Sequence, residues 1–476
     1  MKNFKPFFDE SSFARSRPTS SNPFFFSSQR KFAASASVSQ DEGDNVSMLQ
    51  RLNVSTSQCL NVSMSQCLSS QYFYHLSQTH RQSTFGRVID YSYGLNLALA
   101  GKGVIVKDQA FLNLNSSQLQ HKGATIAESL SGLPLLVRGH VSGGGPSEIS
   151  KPYFTKLLKQ VTNHISSISN IFVHDGAIGS SPKCDVKVRL ISDNPSAMLS
   201  LSHMLWETPT RAVSQDSCPL TVYVATSISP GIGESIGLGS KENDGFIAAD
   251  IERSSLILCG KAFSDSNTTK EALAALSGPV IFARGGLPLS ARLLVSGDSV
   301  VLLFAPKRTF KSCRDLLVPS DAGVILYSNG LAFLFQTGGS NLFKLPASVF
   351  LASSDSSGVI PSVSKLSPGQ AAYHFLAGYQ NGKFIPAYNK GTWSIDPLEL
   401  AKAFMSKLKD DQISSYLFNV NGGENNVNGK DFAKVVQSTL SENIPPFQAK
   451  SGGDLEEKYK SFLLSKFPDL PEEFSF

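Results

Sequence analysis

Lys311 and Ser312 close the eight-residue stretch Ala305-Pro306-Lys307-Arg308-Thr309-Phe310-Lys311-Ser312, which follows the apolar run Val300-Val301-Leu302-Leu303-Phe304. A buried strand leading into a segment of this length and ending suits phosphate binding, in which a lysine and a hydroxyl grip a nucleotide in the pattern G-x-x-x-x-G-K-[ST]. That chemistry depends on glycines, whose freedom lets backbone N–H groups curl around the phosphate oxygens. Ala305 and Phe310 occupy the two glycine positions, and Pro306 removes one N–H donor outright. Phe310 beside Lys311 would also crowd a phosphate. The plainer expectation is that Lys311 and Ser312 are polar residues opening a helix.

Positioning these residues requires a strand before them, and the turn pair Gly297-Asp298 introduces one. From about Arg87 the chain alternates strand and helix patterns. Apolar runs at 170–175, 186–191, 220–224, 246–249 and 255–260 read as strands. Residues 149–168 read as a helix, with Phe154, Leu157, Leu158, Val161 and Ile165 at helical spacing. A second helix is expected over 268–276. Beyond residue 312 the pattern predicts strands at 324–327, 331–335 and 347–351, and helices at 368–376, 397–408 and 455–464. The fold class is mixed α/β.

With 476 residues, 41% hydrophobic and 17% charged, the chain can fill two ordinary domains. No apolar run approaches the roughly 20 residues of a membrane span. The net charge of +5 forms no basic stripe, so nucleic-acid binding is not expected. Six scattered cysteines contain no C-x-x-C pair, which predicts reduced thiols rather than a disulfide framework or a zinc site. Residues 1–40 are rich in Ser and Phe, carry Arg15, Arg17 and Arg30, and have few acids, the bias of an organelle transit peptide. Arg30-Lys31-Phe32 before Ala33-Ala34-Ser35 resembles a mitochondrial processing site, so the mitochondrial matrix is the expected address, with the plastid as alternative. Residues 41–86 read as a low-complexity linker containing two tandem copies of Leu-Asn-Val-Ser-x-Ser-Gln-Cys, at 52–59 and 60–67.

A family resemblance runs collinearly through residues 95–465. Its clearest segment is Ser354-Asp355-Ser356-Ser357-Gly358-Val359-Ile360-Pro361-Ser362-Val363-Ser364-Lys365-Leu366, continuing through Tyr373-His374-Phe375-Leu376-Ala377-Gly378. This is similar to D-A-F-G-V-L-P-P-V-S-R-L-T and Y-H-F-L-S-G of the ATP-dependent phosphoenolpyruvate carboxykinases. Further similar segments are 171–175, 186–191, 256–260, 297–312, Ile395-Asp396-Pro397 and Leu417-Phe418-Asn419-Val420-Asn421. The resemblance implies a substrate-side N-terminal domain over 87–290 and a P-loop-type C-terminal domain over 291–476.

The implied chemistry converts oxaloacetate and ATP to phosphoenolpyruvate, carbon dioxide and ADP with magnesium and manganese. It needs cations around the phosphoryl group, oxygen ligands for metal and arginines for substrate carboxylates. The family's G-L-S-G-T-G-K-T becomes residues 305–312, where only Lys311 and Ser312 keep the nucleotide-binding chemistry. Its metal motif G-D-D-E-H leaves Asp321 alone. Its metal-binding Lys has at best Lys270 as counterpart, one position out of register, and its metal-binding His has none. The arginine of P-P-V-S-R-L-T becomes Lys365, which lacks the bidentate fork. T-G-R-S-P-K-D becomes Ser131-Gly132-Leu133, with Arg138 displaced onto an apolar strand end. The expected function is therefore a catalytically inactive carboxykinase-like protein, a structural or regulatory component of a mitochondrial complex. The alternatives are a divergent active enzyme, for which ATP and Mg/Mn would be cofactors, and a module with residual nucleotide binding. His374 is expected in the core.

Overall fold

A computed structural model describes residues 89–139, 147–208, 220–228, 244–320, 322–340, 342–380, 382–386, 394–420, 429–441, 443–450 and 454–476. The transit-like segment, the tandem repeat and Asp321 lie outside the described residues.

The first half of the described chain builds one eight-stranded sheet. Its elements are α1 (Ile89–Ala100), β1 (Gln109–Leu112), α2 (Ser116–His121), β2 (Leu135–Arg138), β3 (Ser147–Glu148) and α3 (Lys151–Ser167). They continue with β4 (Asn170–Ile178), β5 (Val186–Ser192), α4 (Pro195–Ser202), β6 (Leu220–Ala225), β7 (Gly245–Asp250), β8 (Ser255–Gly260) and α5 (Ser266–Ala283). The strand order is β1-β4-β5-β6-β8-β7-β2-β3, with β5, β6 and β8 mutually parallel. Helices cover both faces, which is why the central strands read as continuous apolar runs rather than alternating ones. Ile171, Tyr223 and Ile257 face Phe154, Leu157 and Val161 of α3, whereas Phe172, Val222 and Leu256 join the core under α4 and α5.

Helix α5 is longer than the sequence pattern suggests, continuing seven residues past Leu276 through Gly278 and Pro279. Burial explains the difference: Ala274, Ala275, Leu276, Ser277, Gly278 and Ile281 are all buried in the helix, and packing outweighs the hydrogen bond that Pro279 cannot donate.

The second half adds β9 (Leu287–Leu289), β10 (Arg292–Ser296), β11 (Ser299–Phe304), α6 (Lys307–Ser312), β12 (Val324–Tyr327), β13 (Gly330–Phe333), β14 (Leu342–Phe343) and β15 (Ser348–Ser353). Then follow β16 (Val363–Leu366), α7 (Pro368–Leu376), β17 (Ala377–Gln380), β18 (Lys383–Pro386), α8 (Pro397–Asp410), β19 (Ser414–Asn419), α9 (Gly429–Ser441) and α10 (Leu455–Lys466). Strands β10-β11-β15-β19-β16 form a five-stranded sheet whose centre, β11, β15 and β19, is parallel. Helices α7 and α8 cover one face, with Phe304 edge-on to Phe375 and Phe404 at 5.4 and 5.8 Å between centroids. Phe432 and Val436 of α9 cover the other face. Both α7 and α8 begin at a Pro at the first position, after the caps Ser367 and Asp396.

A four-stranded antiparallel sheet, β14-β13-β12-β9, lies between the two halves of the core. Val324, Leu326, Leu331 and Phe333 face the core of the five-stranded sheet, while Ile325 and Ala332 alternate into that of the eight-stranded one. Period-two alternation thus lets one small sheet serve two cores. Among the described residues, no helix is long and apolar enough to cross a membrane.

Candidate functional site

The carboxyl ends of β11, β15 and β19 lie side by side, with Phe304 in register with Leu351 and Ser353 with Asn419. In open α/β sheets this edge is where ligands bind, because diverging loops leave a crevice there. Two segments leave it, and they differ in kind.

The first is 305–312. After Ala305 and Pro306 the chain enters α6 at once, so the residues expected to loop around a phosphate are helical. Lys311 and Ser312 therefore stand in the last turn of α6 rather than opening a helix. The difference decides the electrostatics. A phosphate-binding lysine works at the positive N–H end of a helix, whereas the carbonyl end carries the negative pole. Ser312 donates its hydroxyl to the Thr309 carbonyl at 2.9 Å, and the exposed Lys311 side chain suits a helix C-terminus. Phe310 explains the helical choice. It packs partly buried against the core around Val301, Leu303 and Phe350, with the Arg292 guanidinium 5.8 Å over its ring. Arg292 in turn donates to the Ser320 hydroxyl at 3.0 Å.

The second segment is the turn after β15. Asp355, 2% exposed, accepts from the N–H of Ser357 at 2.8 Å, the hydroxyl of Ser357 at 2.5 Å and the N–H of Ile360 at 2.9 Å. Gly358 supplies the left-handed position, at φ +81°. From β19, Asn419 donates to the carbonyls of Asp355 and Ile360 at 3.0 and 3.1 Å and accepts from the Asp355 N–H at 3.0 Å. Burial pushes the Asp355 carboxyl up, but the bonds from Ile360 and Ser357 outweigh it and hold the group below its ordinary value. The carboxylate and the amide are used up in bracing the turn.

The remaining candidates stand on other elements. Lys365 is exposed on β16, opposite Tyr416, with its backbone bonded to Pro445 and Phe447. Lys270 is half-buried on α5, which packs on the eight-stranded sheet. Arg138 ends β2 as a buried structural cation, held by Asp250 at 2.7 Å and Glu252 at 2.5 Å, so its charge is already matched. Among the described residues no three His, Cys, Asp or Glu side chains gather as a metal-ligand set. His374 is 2% exposed in a cage of Tyr373, Phe447, Tyr459 and Phe476, with neither ring nitrogen hydrogen-bonded. Burial depresses its pKa from 6.5 to about 3, so it is a neutral core residue, as expected.

A separate groove of about 430 Å³ opens on the eight-stranded half, lined in part by Ile126, Ala127 and Ser129. Leu199, Met204 and Phe263 line it with serine hydroxyls and His203, and no Asp, Glu, Lys or Arg takes part. Such a lining offers no cation to a dicarboxylate.

Sequence reading missed two further polar networks. Asp193 accepts from the backbone and hydroxyl groups of both Thr226 and Ser227 and lies 3.1 Å from His164 Nε2, tying β5, β6 and α3. Arg189 pairs with Asp175 across β4 and β5 at 2.7 Å. The first joins residues distant in sequence and left no local signal. The second is a cross-strand pair that only the register could reveal.

The fold and this strand edge define a mixed α/β protein whose five-stranded sheet is parallel at its centre, with a short helix directly after β11. A family model for phosphoenolpyruvate carboxykinase matches residues 333–432, which include the Asp355 turn, Lys365, His374 and Asn419 but not 305–312. The chain is 26% identical over 150 residues to the phosphoenolpyruvate carboxykinase (ATP) of Flavobacterium johnsoniae, covering 27% of each chain. It is 30% identical over 111 residues to that of Christiangramia forsetii (20% and 21% covered) and 29% over 87 residues to that of Saccharomyces cerevisiae (16% of each). The chain thus spans about a quarter or less of the length of these curated relatives. Over this segment the chain is similar to the ATP-dependent phosphoenolpyruvate carboxykinases.

Proposed function

We propose that the chain is a catalytically inactive carboxykinase-like protein, serving as a structural or regulatory component of a protein complex in the mitochondrial matrix. The observation that carries this reading is the position of Lys311 and Ser312 at the carbonyl end of α6. Phosphoryl transfer relies on donors aimed at the phosphate oxygens, and removing one such donor typically costs about 3 kcal/mol of transition-state stabilisation. Here the glycine cradle, the substrate arginines and most of the metal ligands are replaced together. The mitochondrial address rests on the arginine-bearing, acid-poor segment 1–40.

Calorimetry on the purified full chain tests the reading. With millimolar ATP, Mg²⁺ and Mn²⁺, no heat of binding is expected. Binding that disappears in Lys311→Ala would overturn it, and ATP-dependent formation of phosphoenolpyruvate and ADP from oxaloacetate would then establish a divergent active carboxykinase. A fluorescent fusion of residues 1–40 checks the address, and plastid import would replace the mitochondrial assignment.

A further inference from the structure

His374 stands in a cage of aromatic side chains, and one wall of that cage is built differently from the others. Tyr373 belongs to α7 and Tyr459 to α10, each fixed within a helix. Phe447 is fixed through its main chain, whose N–H donates to the Lys365 carbonyl of β16 at 2.8 Å. The fourth wall, Phe476, comes from residues 467–476, which contain neither helix nor strand. They pass over the first turn of α7 so closely that a side chain at Gly369 would collide with the Glu473 carbonyl. Among the described residues, two side-chain bonds fasten 470–476 to the rest. Gln370 Nε2 donates to the Phe476 carbonyl at 3.3 Å, and the exposed Lys409 and Glu473 pair at 2.7 Å. The seat itself is apolar. Phe474 is buried, and the ring of Phe476 lies 4.8 Å from Tyr459, 5.4 Å from His374 and 5.5 Å from Phe447.

We propose that residues 470–476 form an acid-released strap: protonation of His374 lifts them from α7 and opens the aromatic cage to water, while the five-stranded sheet stays folded. An imidazolium needs acceptors for two N–H groups. Aromatic faces attract a cation but are poor acceptors, and neither ring nitrogen of His374 has a partner among the described residues. No neighbouring charge compensates. Glu456, Glu457, Lys458 and Lys460 of α10, Lys409 of α8, Lys365 of β16, Lys450 beside the Phe447 wall, and Glu472 and Glu473 of the strap are all exposed. Burial alone sets the histidine's titration. Water can therefore solvate the charged ring only when a wall moves. The strap is the wall whose departure breaks no helix and no strand, and segments with few bonds to the rest open at the lowest free-energy cost. The inference does not depend on whether the strand edge at 305–312 binds nucleotide.

Hydrogen exchange of the full chain at pH 6.5 and 4.5, corrected for the intrinsic pH dependence of exchange and read by mass spectrometry, tests it. The Phe474 N–H, bonded to the Pro471 carbonyl at 3.0 Å, reports on the strap, and β15 and β19 report on the sheet. Burial moves His374 from 6.5 to about 3, so within that window each opening takes up a proton. The open population should then rise roughly fiftyfold between the two pH values, with the sheet's protection unchanged. His374→Leu, apolar and of similar volume, should abolish the rise. Glu473→Gln should keep it, which separates the histidine from the strap's own ion pair. Phe476→Ala should speed strap exchange at both pH values, and it tests the seat even if His374→Leu folds poorly. Strap exchange that ignores pH, or that rises equally in a folded His374→Leu, would overturn the proposal. So would a rise lost in Glu473→Gln, a sheet that opens together with the strap, or a Phe476→Ala strap that exchanges no faster.

Discussion

Two segments leave the same edge of the five-stranded sheet. The turn 353–360 keeps the family's pattern and is braced by six hydrogen bonds among Asp355, Ser357, Ile360 and Asn419. The segment 305–312 lies outside the matched residues and folds as a short helix held by Phe310. The contrast separates residues retained for architecture from residues a nucleotide would need. Asp355 and Asn419 satisfy buried backbone groups whatever the sheet binds, so losing them costs folding. Lys311 and Ser312 are exposed at the end of a short helix, where they carry less of the packing than Asp355 and Asn419 do.

Stability measurements can break that contrast. The largest effect is expected for Asp355→Ala, which leaves the N–H groups of Ser357 and Ile360 without their acceptor: a loss of roughly 2–4 kcal/mol in urea unfolding. A loss below about 0.5 kcal/mol would show that the turn is not braced as described.

Next comes acid sensitivity from His374. Its folded value of about 3 lies below the ordinary 6.5, so between those values the unfolded chain binds a proton that the folded chain refuses. The contribution is complete above about pH 6.5 and is lost as pH falls toward 3. Lowering pH from 6.5 to 5 should remove about 2 kcal/mol through this residue. The loss should be smaller by that amount in His374→Phe, and equal acid limbs in the two proteins would refute the caged neutral histidine.

The smallest effect is expected for Lys311→Ala, within about 0.5 kcal/mol at pH 7. A larger loss would place Lys311 in the architecture after all and erase the contrast between the two segments.

Much of the fold was legible. Strand 324–327 and the helix starts at Pro368, Pro397 and Leu455 were readable because capping residues, proline and apolar spacing are local signals. The site was less so. The identity of 305–312 announced the missing glycines, yet pointed to Lys311 and Ser312 as the opening of a helix. The opposite end emerged because Phe310 finds an apolar seat supplied by β11, β15 and α9. Arg138 could be read as a strand end, but not as the partner of Asp250 and Glu252, more than a hundred residues away.

By itself, the sequence determined the mixed α/β class and the family resemblance, because these follow from residue type and near-neighbour spacing. Tertiary structure alone decided which end of a helix Lys311 occupies, which carboxylates neutralise Arg138, that Asn419 braces the Asp355 turn, and that Ile126 stands beside an uncharged groove. Each of these depends on side chains brought together across the chain by burial, and burial is a property of the packed whole.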